Sequence, residues 1–150
     1  MNRWHQHYLR GDYHNQDPKA LYQARLATVQ EALDLIEDGD CLAWSTHGSE
    51  PKVFLEYLHT IASRLDKGVD CWNTITRYTY PVTSDPALAG KFRHHTFFFD
   101  KWSVGARGSG LYSHFPVDQH LYAKGIQACK APNVFVAQVS PMDKHGYVHL

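Results

Sequence analysis

The sequence runs to 150 residues, 43% of them hydrophobic, with 15 Lys and Arg balancing 15 Asp and Glu. That apolar share belongs to a packed domain and excludes a disordered chain, while a formal charge of zero lacks the basic surplus of an electrostatic nucleic-acid binder. No apolar run approaches the roughly 18–20 residues of a membrane helix, and residues 1–7 contain no signal-peptide core.

Residues 1–20 are polar and aromatic and read as an irregular arm ending at Asp17-Pro18, ahead of one domain over residues 21–150. His5 and His7 alternate, but no further ligand type lies near them, so they read as solvated arm residues. Thr28 and Glu31 make a capping-box pattern. Val29, Ala32, Leu33 and Ile36 then recur at helical spacing until Gly39. A strand is expected at residues 41–44. The small, polar stretch 45–51 follows, with Pro51 suited to the first helical position. Phe54, Tyr57, Leu58, Ile61, Ala62 and Leu65 form the apolar stripe of a helix that Gly68 ends. A strand–loop–helix passage of this kind aims backbone N–H groups at an anion or a developing oxyanion, and Gly48 lets a ligand come close. Neither Walker A nor dinucleotide glycine spacing is present.

Residues 71–80 alternate as a strand does, closed by Pro81 and a turn at 84–86, with a short helix at 86–89. Residues 92–99 are basic and then aromatic and read as a buried strand with a polar entry. His94 and His95, adjacent on that strand, point to opposite faces and cannot share a metal. Gly105, Gly108 and Gly110 mark a loop, in which Arg107 is available to a phosphate. Residues 112–116 resemble a strand end, and Asp118 is placed to cap a helix reaching Cys129. Residues 134–139 read as a buried strand that Ser140-Pro141 stops. Asp143 and Gly146 turn the chain into a second short strand at 147–150, whose uncovered edge predicts self-association. The three cysteines, Cys41, Cys71 and Cys129, form no CxxC pair and suggest neither a zinc site nor a disulfide framework. Free thiols fit a reducing cytoplasm.

Strands alternating with helices predict an α/β fold, a largely parallel sheet flanked by helices. Ligands of such sheets sit beyond the strand carboxyl ends, which here carry residues 45–50, 113–116 and 140–145. Three polar loops on one edge make a pocket.

The run Gln138-Val139-Ser140-Pro141-Met142-Asp143-Lys144-His145-Gly146-Tyr147 resembles the QVSPPDxHGY signature of the acetyl-CoA hydrolase and 4-hydroxybutyrate CoA-transferase family. Blocks at residues 32–40, 48–52 and 92–98 agree with it in order. The resemblance implies the α/β fold of the CoA-transferases, of which this chain is the N-terminal part, truncated at its C-terminal end. In relatives the GEP loop lies near the CoA thioester, which makes Gly48, Ser49, Glu50 and Pro51 cleft candidates; relatives carry glycine or alanine where this chain has Ser45 to His47. The 92–98 block adds Arg93, His94 and His95, and the remaining loops add His114, Ser140, Pro141, His145 and Gly146. Family members attack an acyl-CoA with a glutamate carboxylate, passing through an acyl anhydride and a glutamyl–CoA thioester. That glutamate belongs to the C-terminal half, beyond Leu150, so no catalytic residue is expected here. Glu50 is better read as complementing a helix macrodipole than as a nucleophile.

The partners implied are acyl-CoA and a small carboxylic acid as substrates, a C-terminal half or complementing chain, and further copies in a homo-oligomer. No permanent cofactor, metal, nucleic acid or membrane is expected, and the implied location is cytoplasmic. Two readings compete: a non-catalytic CoA-binding or assembly module of the same fold, and a metal enzyme suggested by 11 histidines, which lack an HExxH motif.

Overall fold

A computed structural model describes residues 17–150. His5 and His7 lie outside the described residues. Helix α1 spans Pro18–Arg25, so the chain is already helical inside the stretch expected to be irregular. Asp17-Pro18 is a start signal and not an end: the Asp17 carboxylate accepts the Lys19 N–H at 3.1 Å, and Pro18 needs no N–H in the first turn. Helix α2 spans Val29–Asp34 and carries the expected capping box. Thr28 Oγ1 accepts the Glu31 N–H at 3.2 Å, and Glu31 Oε2 accepts the Thr28 N–H at 2.7 Å.

Five strands follow: β1 (Cys41–Trp44), β2 (Val69–Asn73), β3 (Phe92–Thr96), β4 (Tyr112–His114) and β5 (Val134–Val136). They form one sheet, ordered β4-β3-β2-β1-β5, with every neighbouring pair parallel. Leu42 stands beside Cys71 and Val134, and His94 beside Tyr112, so all the carboxyl ends open on one edge. Helix α3 (Lys52–Tyr57) begins one residue after Pro51 and tightens into a 3-10 segment, Leu58–Arg64. The change of pitch buries Leu58, Ile61 and Leu65 and leaves Tyr57, expected in the apolar stripe, in solvent. Helix α4 (Pro81–Ser84) occupies what reads in sequence as a stop, and α5 spans Tyr122–Cys129 with no cap from Asp118.

Three expectations need correction. Strand β2 starts at Val69 and ends at Asn73, because Thr76 and Arg77 give their N–H groups to carboxylates and not to a neighbouring strand. Strand β5 is three residues long and lies at the sheet edge, so Phe135 is 68% exposed and not buried. Residues 147–150 form no strand; the Ser140 N–H donates to the His149 carbonyl at 2.8 Å in a tight return, and the sheet edges are β4 and β5.

The core lies mainly on one face of the sheet. There Leu42, Trp44, Val69, Cys71 and Phe92 pack under Leu33, Ile36, Phe54, Leu55, Leu58, Ile61 and Leu65. The other face carries Cys41, Trp72 and Phe97 beneath Phe115, Val117, Tyr122 and Ile126. Gly68 permits the turn into β2: its φ is +75°, and a Cβ there would lie 2.2 Å from the Gly90 carbonyl oxygen. Asn133 ties β5 to β1, accepting the Cys41 N–H and donating to Asp40 Oδ1, both at 2.7 Å. Asn133→Ala is expected to cost about 1–2 kcal/mol in urea unfolding, since it strands both partners. An unchanged midpoint would show that the tie carries no stability.

Candidate functional site at the carboxyl edge of the sheet

At the end of β1 the chain enters a short 3-10 turn, His47–Ser49. His47 stands at φ 57°, the single non-glycine residue with positive φ among the described residues, a backbone conformation that glycine adopts with less strain. The turn is tied to the stretch after β5. Gln138 N–H donates to the Ser49 carbonyl at 2.8 Å, Ser45 N–H donates to the Val136 carbonyl at 3.0 Å, and Ser45 Oγ donates to the Ser49 carbonyl. Gly48 is exposed, and a Cβ there would meet nothing within 4 Å, so the space above the loop is open.

The β2 carboxyl end leads into residues 74–80, which run along the same edge. Two acids hold this loop through consecutive amides. Asp100 Oδ2 accepts the Thr76 N–H at 2.6 Å, and Glu50 Oε2 accepts the Arg77 N–H at 2.8 Å. Glu50 is 3% exposed, the buried Tyr80 hydroxyl acts on its carboxyl group, and burial pushes that carboxyl above the usual range. Burial acts on Asp100 in the same sense, but N–H groups of Ser103, Thr76 and Trp102 outweigh it and hold that carboxyl below the usual range. Glu50 makes no cap on α3, so its contact is with the 74–80 loop and not with the helix macrodipole.

The remaining candidates separate. Ser140, Pro141, His145 and Gly146 stay on the edge, in a turn organised by Asp143, which accepts the N–H groups of His145 at 2.8 Å and Tyr147 at 2.9 Å. Gly146, at φ 90°, packs on Pro18, and a concavity of about 280 Å³ opens between α1 and Met142, Asp143 and Lys144. His114 is on the same edge but ends β4, three strands from β1 and so roughly 14 Å away. The three loops therefore share an edge without closing on one point. Arg93 is on the opposite edge, where β3 begins, its guanidinium held by Asp70 at 2.9 and 3.0 Å. His94 is fully buried, its Nε2–H on the Val82 carbonyl at 2.7 Å, and lines no cleft. His95 faces the other side of the sheet and meets Asp70 at 2.9 Å. Among the described residues no three His, Cys, Asp or Glu side chains gather as metal ligands.

The acetyl-CoA hydrolase/transferase N-terminal domain matches residues 10–150. The chain belongs to this family. No curated protein matches it. Among solved structures it is similar to RipA from Yersinia pestis, at 25% identity and a TM-score of 0.69, over 89% of this chain and 33% of that one. Two substituted forms of RipA, also 25% identical, give TM-scores of 0.71 over 89% of this chain and 32% and 33% of theirs. The chain spans about a third of the length of those structures.

Within this acetyl-CoA hydrolase/transferase N-terminal domain, the edge offers orientation and hydrogen bonding. Glu50 is buried with one oxygen engaged by the Arg77 amide, so its access does not suit attack. Asp100, Thr76 and Arg77 are part of the edge and carry no signal in the sequence, where residues 71–80 read as one alternating strand.

Proposed function

We propose that the chain forms one wall of an acyl-CoA cleft in a CoA-transferase or acyl-CoA hydrolase. One observation carries the reading: the loop after β1 and the QVSP stretch after β5 are hydrogen-bonded to each other at the carboxyl edge, with open space above Gly48. Family membership supports it. The nucleophilic glutamate comes from a C-terminal half or a complementing chain. Its carboxylate oxygen attacks the thioester carbonyl, CoA leaves as the thiolate, and an acyl–glutamyl anhydride forms. The thiolate then attacks the glutamyl carbonyl, releasing the acyl carboxylate and leaving a glutamyl–CoA thioester. An incoming carboxylic acid, 4-hydroxybutyrate or a similar small acid, reverses the sequence; water in its place gives hydrolysis.

In this reading acyl-CoA and the acid are substrates, no cofactor is bound permanently, and the protein works in the cytoplasm as a homo-oligomer. Among the described residues no helix is long and apolar enough to cross a membrane. The test is exchange of labelled acetate into acetyl-CoA, measured for the chain alone and for the chain joined to a C-terminal half of the family. Exchange in the joined form alone is expected, and its loss on replacing the supplied glutamate by alanine locates the nucleophile. Joined protein that binds acetyl-CoA without exchange would favour a binding module instead.

A further inference from the structure

Of the five arginines in the described chain, three are committed, and Arg25 ends α1. Arg93 is held by Asp70, Arg64 donates to the carbonyls of Leu33 and Ile36, and the Arg107 guanidinium lies 5.5 Å from the Phe99 ring centre. The lysines of the loops around residues 74–80 are also engaged. Lys52 pairs with Glu56 at 3.7 Å and covers Tyr78 at 4.9 Å, and Lys101 covers Trp102 at 4.6 Å. Arg77 differs. Its side chain is exposed at the carboxyl edge, where its charge acts on the Glu50 carboxyl without closing a salt bridge, hydrogen bond or ring contact to a described residue.

Its backbone is among the most firmly held in that region. The Thr76 and Arg77 amides end on Asp100 and Glu50, and Thr76 Oγ1 adds a further bond to Asp100 at 3.1 Å. Asp100 is fixed in turn by the N–H groups of Trp102 and Ser103, both at 2.8 Å. Burying a carboxyl group such as Glu50 is unfavourable, and here the buried group holds the Arg77 amide in place. What the fixed loop presents to solvent is a guanidinium, a planar donor suited to carboxylate or phosphate oxygens.

We propose that Arg77 is the anion-recognising residue of this edge, with Glu50 and Asp100 as the positioning residues that hold it, and that it takes a carboxylate or phosphate group of the substrate. The assignment rests on the acyl-CoA reading for the identity of the ligand and on the loop geometry alone for the anion. Both the acceptor acid and the nucleotide end of CoA supply such oxygens, so the test has two arms.

Binding of succinate and of 3′-phosphoadenosine 5′-diphosphate is measured by calorimetry on this chain and on Arg77→Ala, Arg77→Lys, Glu50→Gln and Glu50→Ala. One probe is expected to bind the parent chain and to lose roughly ten-fold or more in affinity in Arg77→Ala, less in Arg77→Lys. Glu50→Gln keeps an acceptor for the Arg77 N–H and should retain binding. Glu50→Ala should weaken binding although Arg77 remains, and should speed amide exchange at residues 76 and 77. Succinate as the sensitive probe assigns Arg77 to the acid; the nucleotide assigns it to CoA. Equal affinity of parent and Arg77→Ala, or no binding of either probe to the parent, overturns the proposal. Because these readouts need no turnover, they stand apart from the exchange assay that decides the enzymatic reading.

Discussion

Acidification from pH 7 to pH 4 is expected to remove about 3 kcal/mol of stability through His94 alone. The ring is completely buried at the centre of β3, stacked on Tyr112 with centroids 5.0 Å apart and edge-on to Trp44 at 5.9 Å. Its Nε2–H donates to the Val82 carbonyl at 2.7 Å, which leaves Nδ1 as an acceptor facing the Asn73 amide at 3.4 Å. Protonation would put an N–H against that amide's own N–H groups in a site with no water-like dielectric. Burial therefore pushes the imidazole down from 6.5 to about 4. The folded value is depressed, so the contribution is complete above the unfolded value and disappears as pH falls from about 6.5 through about 4. Glu50, whose carboxyl is raised by burial, acts with the opposite sign over the acid range, so the parent chain must be compared with His94→Gln. Urea unfolding at pH 7, 5.5 and 4 should show the parent losing about 3 kcal/mol more than the variant. Parallel slopes would mean that His94 is not held neutral.

Asp70→Ala should destabilise the chain by about 3 kcal/mol at pH 7. This carboxylate, 6% exposed on the central strand, accepts Arg93 at 2.9 and 3.0 Å, His95 at 2.9 Å and Lys130 at 2.5 Å. Its removal leaves Arg93 and Lys130 with no counter-charge and frees the stretch that leads from α5 to β5. Arg93 and Lys130 keep partial solvent contact, which holds the loss toward the low end for a broken buried ion cluster. Burial alone would raise the Asp70 carboxyl, but the hydrogen bonds from Arg93, Lys130 and His95 outweigh it and hold it far below the usual carboxylate range. Its contribution is thus complete above about pH 4, the value of an unfolded carboxyl, and is lost only below that. The His94 and Asp70 windows fall in sequence, the first above pH 4 and the second beneath it. A variant within about 0.5 kcal/mol of the parent would show the cluster to be solvated and dispensable.

Some local signals are legible in the sequence, while Asp17-Pro18 and Asp118 mislead, and contacts between distant residues are hidden. The Thr28–Glu31 cap and strand β1 depend on residues within a few positions of one another, and both stand as read. The two-residue period of a strand is enough to set His94 and His95 facing apart, and the two rings do reach different partners, Val82 and Asp70. The end of β2 was not legible, because the groups that capture the Thr76 and Arg77 amides lie 24 and 27 residues away in sequence. Arg93 was assigned to the cleft by its block and not by its position in the strand; as the second residue of β3 it falls on the edge opposite the site. The exposure of Phe135 was equally hidden, since an apolar strand says nothing of whether it lies at the centre of a sheet or on its rim.

The central claim is that the carboxyl edge of the sheet faces acyl-CoA. Hydrogen exchange of the chain joined to a C-terminal half of the family, with and without acetyl-CoA, tests it most directly. Protection is predicted at residues 45–51, 74–80 and 138–145, with none at residues 37–41 and 130–133 on the opposite edge. Protection confined to that opposite edge, or absent from both while acetyl-CoA is bound, would contradict the account.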